Sequence, residues 1–162
     1  MKYTVKHTFD YPLAELLAAR EERYKYLDKF PELKNVTLLD EKKEGNKIFQ
    51  KRQVSLMSSL PVVLQPLLKD TGLIEESVFD TQDNTHIFTF TPPGNAKIFV
   101  IKGKSTYRSI SEKQSERIYE VEVKSETFLV SGAIEAAIEG VHKHSLDKDK
   151  NSILKFLSEK PV

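Results

Sequence analysis

Cysteine is absent from the 162 residues, which excludes disulfide frameworks, thiolate zinc sites and cysteine nucleophiles. No apolar run approaches the length of a membrane span. The opening residues, Met1-Lys2-Tyr3-Thr4-Val5-Lys6-His7, lack the apolar stretch of a secretory leader. A cytoplasmic location is expected, and the sequon Asn35-Val36-Thr37 then reads as a chance match. An excess of either charge is missing as well. The 25 Lys and Arg nearly cancel the 24 Asp and Glu, so no net field draws the chain to nucleic acid or to an acidic membrane. There is no Gly-x-Ser-x-Gly elbow, no P-loop and no dinucleotide fingerprint. Nor does any repeat or low-complexity linker divide the chain, so residues 1–162 are expected to form one domain, with no cofactor and no metal.

What is present is the composition of a globular protein, 39% hydrophobic and 30% charged. Tyr3, Val5, His7 and Phe9 alternate with polar residues, the pattern of a half-buried strand. Asp10 is placed to cap a helix with Pro12 in its first turn. Leu13, Leu16, Leu17, Tyr24 and Leu27 follow at helical spacing, as two short helices that stop at Phe30-Pro31. Residues 36–39 and 47–57 read as strands joined through Glu44-Gly45-Asn46. An apolar segment broken by Pro61 and Pro66 comes next. Strands over 73–79, 85–91, 98–107 and 118–128 follow, with 110–116 as a polar connection. A helix over 131–157, about 40 Å long, closes the chain. Hairpin connections with segregated helices imply an α+β fold. The expected form is a curved antiparallel sheet of about seven strands gripping the long C-terminal helix. Short helices come after the first strand and the proline-broken segment after the third.

The terminal helix carries an internal conflict. Ile134, Ala137, Ile138 and Val141 form a tight stripe whose continuation meets Ser145, Lys148, Asp149 and Ser152. Leu146, Ile153 and Leu157 form a second stripe, rotated by roughly 120°. A curve with a change of partner, or a break near 145–151, would reconcile them. The polar continuation would mark either the mouth of a pocket or the place where the helix leaves the sheet.

That element order resembles the START-like, helix-grip superfamily (SRPBCC), which includes polyketide cyclase-like proteins and the birch-pollen-allergen type. His7-Thr8-Phe9-Asp10-Tyr11-Pro12 is similar to the family's first strand and its entry into a helix at proline. Ser59-Leu60-Pro61-Val62-Val63-Leu64-Gln65-Pro66-Leu67-Leu68 is similar to a Leu-Pro apolar segment of two relatives. These are bacterial START-like proteins of unknown function and PRELI-type phospholipid carriers of mitochondria. Phe128-Leu129-Val130-Ser131-Gly132-Ala133-Ile134 resembles their entry into the last helix. The resemblance implies an elongated cavity between sheet and helix, commonly holding a lipid or another hydrophobic molecule. Enzymes share the fold, so the resemblance does not choose a chemistry.

Candidate ligand-binding residues follow from the pattern. Phe88, Phe90, Phe99, Ile101 and Tyr107 read as one inner sheet surface, either close-packed core or cavity wall. The small residues Ala133, Ala137 and Gly140 among Ile134, Ile138 and Val141 leave volume between helix and sheet. Leu64, Leu67 and Leu68, with Leu60, form either a core cover or a lid that touches a membrane transiently. His7 shares the inward face of the first strand, as a core histidine or a ligand contact. Arg52 shares a face with Ile48, Val54 and Leu56; inward, it would suit an anionic head group, and outward, it would be solvated. Glu139-x-x-His142 is a single metal-type pair where bundle chemistry needs two, so it reads as a solvated helix face. His142 and His144 lie about 200° apart on a helix and cannot share a ligand. The expected function is binding, or binding and transport, of a hydrophobic or amphipathic lipid-like molecule. The alternatives are a cyclase- or aromatase-like enzyme using His7 or His86 in the same cavity, or a protein-interaction module. The oligomeric state is open.

Overall fold

The computed structural model describes residues 1–33, 36–54, 64–66 and 72–159. Its strands are β1 (Lys2–Phe9), β2 (Val36–Glu44), β3 (Lys47–Val54), β4 (Leu73–Asp80), β5 (Thr85–Thr91), β6 (Val100–Ser111) and β7 (Gln114–Lys124). Helix α1 (Leu13–Glu22) follows β1, and α2 (Ser131–Ser158) ends the fold. Short 3₁₀ turns lie at Arg23–Lys25 and Pro31–Leu33. The strands form one sheet in the order β1-β7-β6-β5-β4-β3-β2, antiparallel throughout. Tight turns account for most of that order. Gly45 (φ 57°) and Asn84 (φ 55°) adopt the left-handed backbone that two hairpins require, and both are residue types that tolerate it. The curved antiparallel sheet around a long terminal helix is the helix-grip fold.

Two local features differ from the sequence pattern, and a third settles an alternative that it left open. Residues 110–116 are not a loose connection: β6 and β7 pair as far as Ser111 and Gln114. Arg108, Ser109, Ile110 and Ser111 are all exposed there, so the backbone ladder persists where the apolar alternation has ended. Asp10 does not cap α1. The helix starts two residues later, with the amides of Glu15 and Leu16 donating to Pro12 O, and Asp10 accepts from Gln114 Nε2 at 2.8 Å instead. Helix α2 has no break; it runs through its 28 residues and buries Ile134, Ile138, Leu146, Asp149, Ile153, Phe156 and Leu157. Both stripes are used, because the helix meets two cores along its length.

The first core gathers Tyr3, Leu64, Leu73, Phe88, Phe99, Ile101, Val121, Ile134 and Ile138. The second gathers Phe9, Leu16, Phe30, Phe79, Tyr107, Ile153 and Phe156 beneath α1. Of the proline-broken segment only residues 64–66 are described. Leu64 is fully buried in the first core, whereas Leu60, Leu67 and Leu68 lie outside the described residues. Among the described residues no helix is long and apolar enough to cross a membrane.

Candidate functional site

A cavity of about 200 Å³ lies between the concave sheet face and α2. Period-two alternation along β5 turns His86, Phe88 and Phe90 toward it, and neighbouring strands add Val54, Leu73, Glu75, Ile101, Tyr107 and Tyr119. Ile138, Val141, His142, Ser145 and Asp149 present one face of α2 to the same space. Arg23 and Tyr24, in the turn after α1, complete the lining.

Gly103 on β6 sets the depth of the cavity. It stands opposite Phe88 in the ladder, and a Cβ there would overlap the Phe88 ring. Only glycine lets the ring lie flat against the sheet.

The predicted residues divide in two. Leu64, Phe88, Phe90, Ile101, Tyr107, Ile138 and Val141 line the cavity. Phe99 and Ile134 are fully buried in the first core instead of facing the cavity, and Leu67 and Leu68 lie outside the described residues. Arg52 points inward, not to solvent, but stands behind the wall. Its Nη1 is 3.6 Å from Glu75 Oε1 and its guanidinium lies 4.3 Å from the centre of the Tyr24 ring.

His7 also faces inward but belongs to a polar relay rather than to the cavity. Arg117 Nε donates to His7 Nδ1 at 3.3 Å, and His7 Nε2 donates to Asp147 Oδ1 at 3.1 Å. Those two bonds define a neutral tautomer. Burial, followed by the Arg117 charge, accordingly holds the ring below the usual histidine range. Arg117 is wholly buried and passes the relay on, donating from Nη1 to Asp149 Oδ2 at 2.7 Å and from Nη2 to Leu146 O at 3.2 Å. Arg23 Nη1 reaches both Asp149 oxygens at 3.2 Å. Burial raises the Asp149 carboxyl, but the two guanidiniums outweigh it and hold it below the usual carboxylate range.

His142 is not part of a solvated face. Tyr3 Oη and His142 Nδ1 are 2.6 Å apart, and Tyr3 keeps its proton because burial, aided by the Glu139 charge, raises its pKa, so the phenol donates. Edges of Tyr3, Phe88, Phe90 and Tyr119 surround the imidazole, and burial lowers it to about 4. Glu139 instead accepts from Lys143 Nζ at 2.7 Å. Among the described residues no group of three His, Asp or Glu could hold a metal ion.

Sequence reasoning missed Arg23, Tyr24, Glu75, Tyr119, His142 and Asp149 as lining residues. Signals existed for three of them. Tyr119 alternates with Val121 and Val123, while His142 and Asp149 lie on or beside the continued apolar stripe of α2. Nothing local marks Arg23, which opens the 3₁₀ turn after α1.

A protein family of unknown function, DUF2505, matches residues 4–157. The chain belongs to that family. Among curated proteins none matches. Solved structures share the fold of this DUF2505 chain at low identity. The ZhuI aromatase/cyclase from Streptomyces sp. R1128 is 12% identical, with a TM-score of 0.64 over 96% of this chain and 93% of that one. Norcoclaurine synthase from Thalictrum flavum is 9% identical, with a TM-score of 0.63 over 99% of this chain and 88% of that one. A START superfamily protein from Mycobacterium smegmatis is 7% identical, with a TM-score of 0.62 over 96% and 98%. At such identities the likeness establishes the helix-grip fold and leaves the ligand to the residues of the cavity itself.

Proposed function

We propose that the protein binds a hydrophobic or amphipathic, lipid-like small molecule in the cavity between the sheet and α2, as a carrier or store rather than as an enzyme. The observation that supports this reading is the makeup of the wall. Phe88, Phe90, Ile101, Leu73, Ile138 and Val141 supply apolar surface, and a few polar groups converge at one end. Apolar burial supplies affinity, at about 25 cal/mol per Å² removed from water, and the polar groups fix orientation. Native mass spectrometry after mild purification, paired with solvent extraction, is the direct test. A copurifying small molecule supports the reading; an empty protein whose crystal structure shows a filled interior overturns it.

A second reading, a cyclase- or aromatase-like enzyme, is supported by His86 and Glu75 lining the same cavity. Burial raises the Glu75 carboxyl against the pull of Arg52 and Arg23, which suits a proton carrier. In this case a bound molecule would leave the cavity chemically changed, and His86→Ala would abolish the change without abolishing binding.

A further inference from the structure

Among the described residues, two buried nitrogen atoms on the cavity wall have no hydrogen-bond partner: Nε of Arg23 and Nε2 of His86. Native interiors rarely leave such atoms unsatisfied, and a ligand that supplies the missing acceptor is a sufficient reason for an exception. The other such side-chain atoms among the described residues, the hydroxyls of Ser77 and Ser105, belong to residues that do not line the cavity.

Charge at that end is also unbalanced. Asp149 is shared by Arg23 and Arg117, and Glu75 faces Arg52. Arg20 lies 3.8 Å from the centre of the Phe79 ring and acts on the same groups. Among the described residues around this pole, four guanidiniums therefore face two carboxylates. The excess is felt by its neighbours. Burial and then Arg20, Arg23 and Arg52 hold the His86 imidazole well below its ordinary value, so it stays neutral. At Tyr107 burial pushes the phenol up, but Arg20, Arg117 and Arg23 outweigh it and lower it. Neither carboxylate repels an incoming anion freely, because each already faces a guanidinium.

We propose that the cavity selects amphiphiles carrying a single acid group, whose oxyanion accepts from Arg23 Nε and His86 Nε2 while the apolar body lies along Phe88, Phe90 and Ile138. The inference rests on the binding role proposed above and adds the chemical class of the ligand. Guanidinium beside a neutral imidazole suits a carboxylate or another compact oxyanion, with the charge held out of water. The wall polarises accordingly. The apolar residues belong to the first core, whereas Arg20 stacks on Phe79 and both Arg23 and Arg52 on Tyr24, rings of the second.

Isothermal titration at neutral pH with decanoate, decanol and decylamine separates this inference from the reading it rests on. Decanoate is expected to bind roughly tenfold or more tightly than decanol, the difference that one charge-assisted hydrogen bond makes, with decylamine weakest. His86→Leu is expected to cut the advantage of decanoate over decanol to roughly threefold, since half of the oxyanion's contacts remain. Equal affinity for decanoate and decanol, or a preference for decylamine, overturns the acid selectivity and leaves the cavity reading standing. Binding of none of the three overturns both. Should His86→Leu fail to fold, the ranking on the unaltered protein decides alone.

Discussion

Arg117 Nη1 donates to Asp149 Oδ2 at 2.7 Å, which ties the inner face of β7 to the long helix through a buried ion pair. Its partners on either side are His7 on β1 and Arg23 after α1, so four elements meet at one buried charge network. Such a network adds little net stability over an apolar replacement, but it penalises the loss of any one member.

Asp149→Ala strands Arg117 in the interior and is expected to cost about 3–5 kcal/mol. Asp147→Ala removes a carboxylate whose side chain is 67% exposed and is expected to cost less than about 1 kcal/mol. Urea denaturation of the two variants measures the contrast, and equal losses would mean that burial does not govern the relay.

Acid is expected to destabilise the protein through His142 before most carboxylates titrate. Its folded pKa, about 4, lies below the ordinary 6.5, so the unfolded chain takes up the proton first as pH falls. The contribution is intact above 6.5 and is lost progressively down to about 4. His142→Phe should flatten the fall in denaturation midpoint across that window. An unchanged slope would show that burial does not lower the His142 pKa in the folded state. Asp149, also lowered, adds its loss at more acid pH, as pH falls from the ordinary carboxylate range through its folded value.

Gly103→Ala places a methyl group in the Phe88 ring. The ring must swing toward α2, at a cost of roughly 1–3 kcal/mol typical of overpacking, and the cavity shrinks. A lower melting temperature together with weaker uptake of decanoate is the expected result. Unaltered uptake would place the ligand away from Phe88.

Leu129 holds φ at 67° and is 87% exposed, so it bears a left-handed backbone and gains little burial in return. Leu129→Gly is expected to stabilise the fold by roughly 1 kcal/mol. Chemical denaturation checks it, and a loss of stability would mean that the leucine side chain makes a contact worth more than the strain.

Much of the cavity was legible because alternation on a strand is a tertiary signal in disguise. Phe88, Phe90, Ile101 and Tyr107 share a face by parity alone, and Ile138 and Val141 share a helix stripe. The same logic extends to His86, one step along the Phe88 and Phe90 face, and to Arg117, on the face of Tyr119 and Val121. Polar identity hid Arg117, since a charged residue on an apolar face looks like an error until its partner is known, and it left His86 to the enzyme alternative alone. His7 illustrates the reverse case: its inward direction was correct, yet Arg117 and Asp147 claim both ring nitrogens. The continuity of α2 was likewise concealed, because a second core under α1 receives the stripe that the first one does not use.

By itself the sequence determined the antiparallel hairpin order, the long terminal helix and the apolar half of the cavity wall. Each of these depends on spacing within one segment or on a turn residue such as Gly45. Only the tertiary structure decided which charges are buried together. Arg23, Glu75, Arg117 and Asp149 come from four separate segments, and a buried ion is tolerable only where its partner arrives from elsewhere in the chain. The polar end of the cavity is therefore a property of the assembled fold and of no stretch within it.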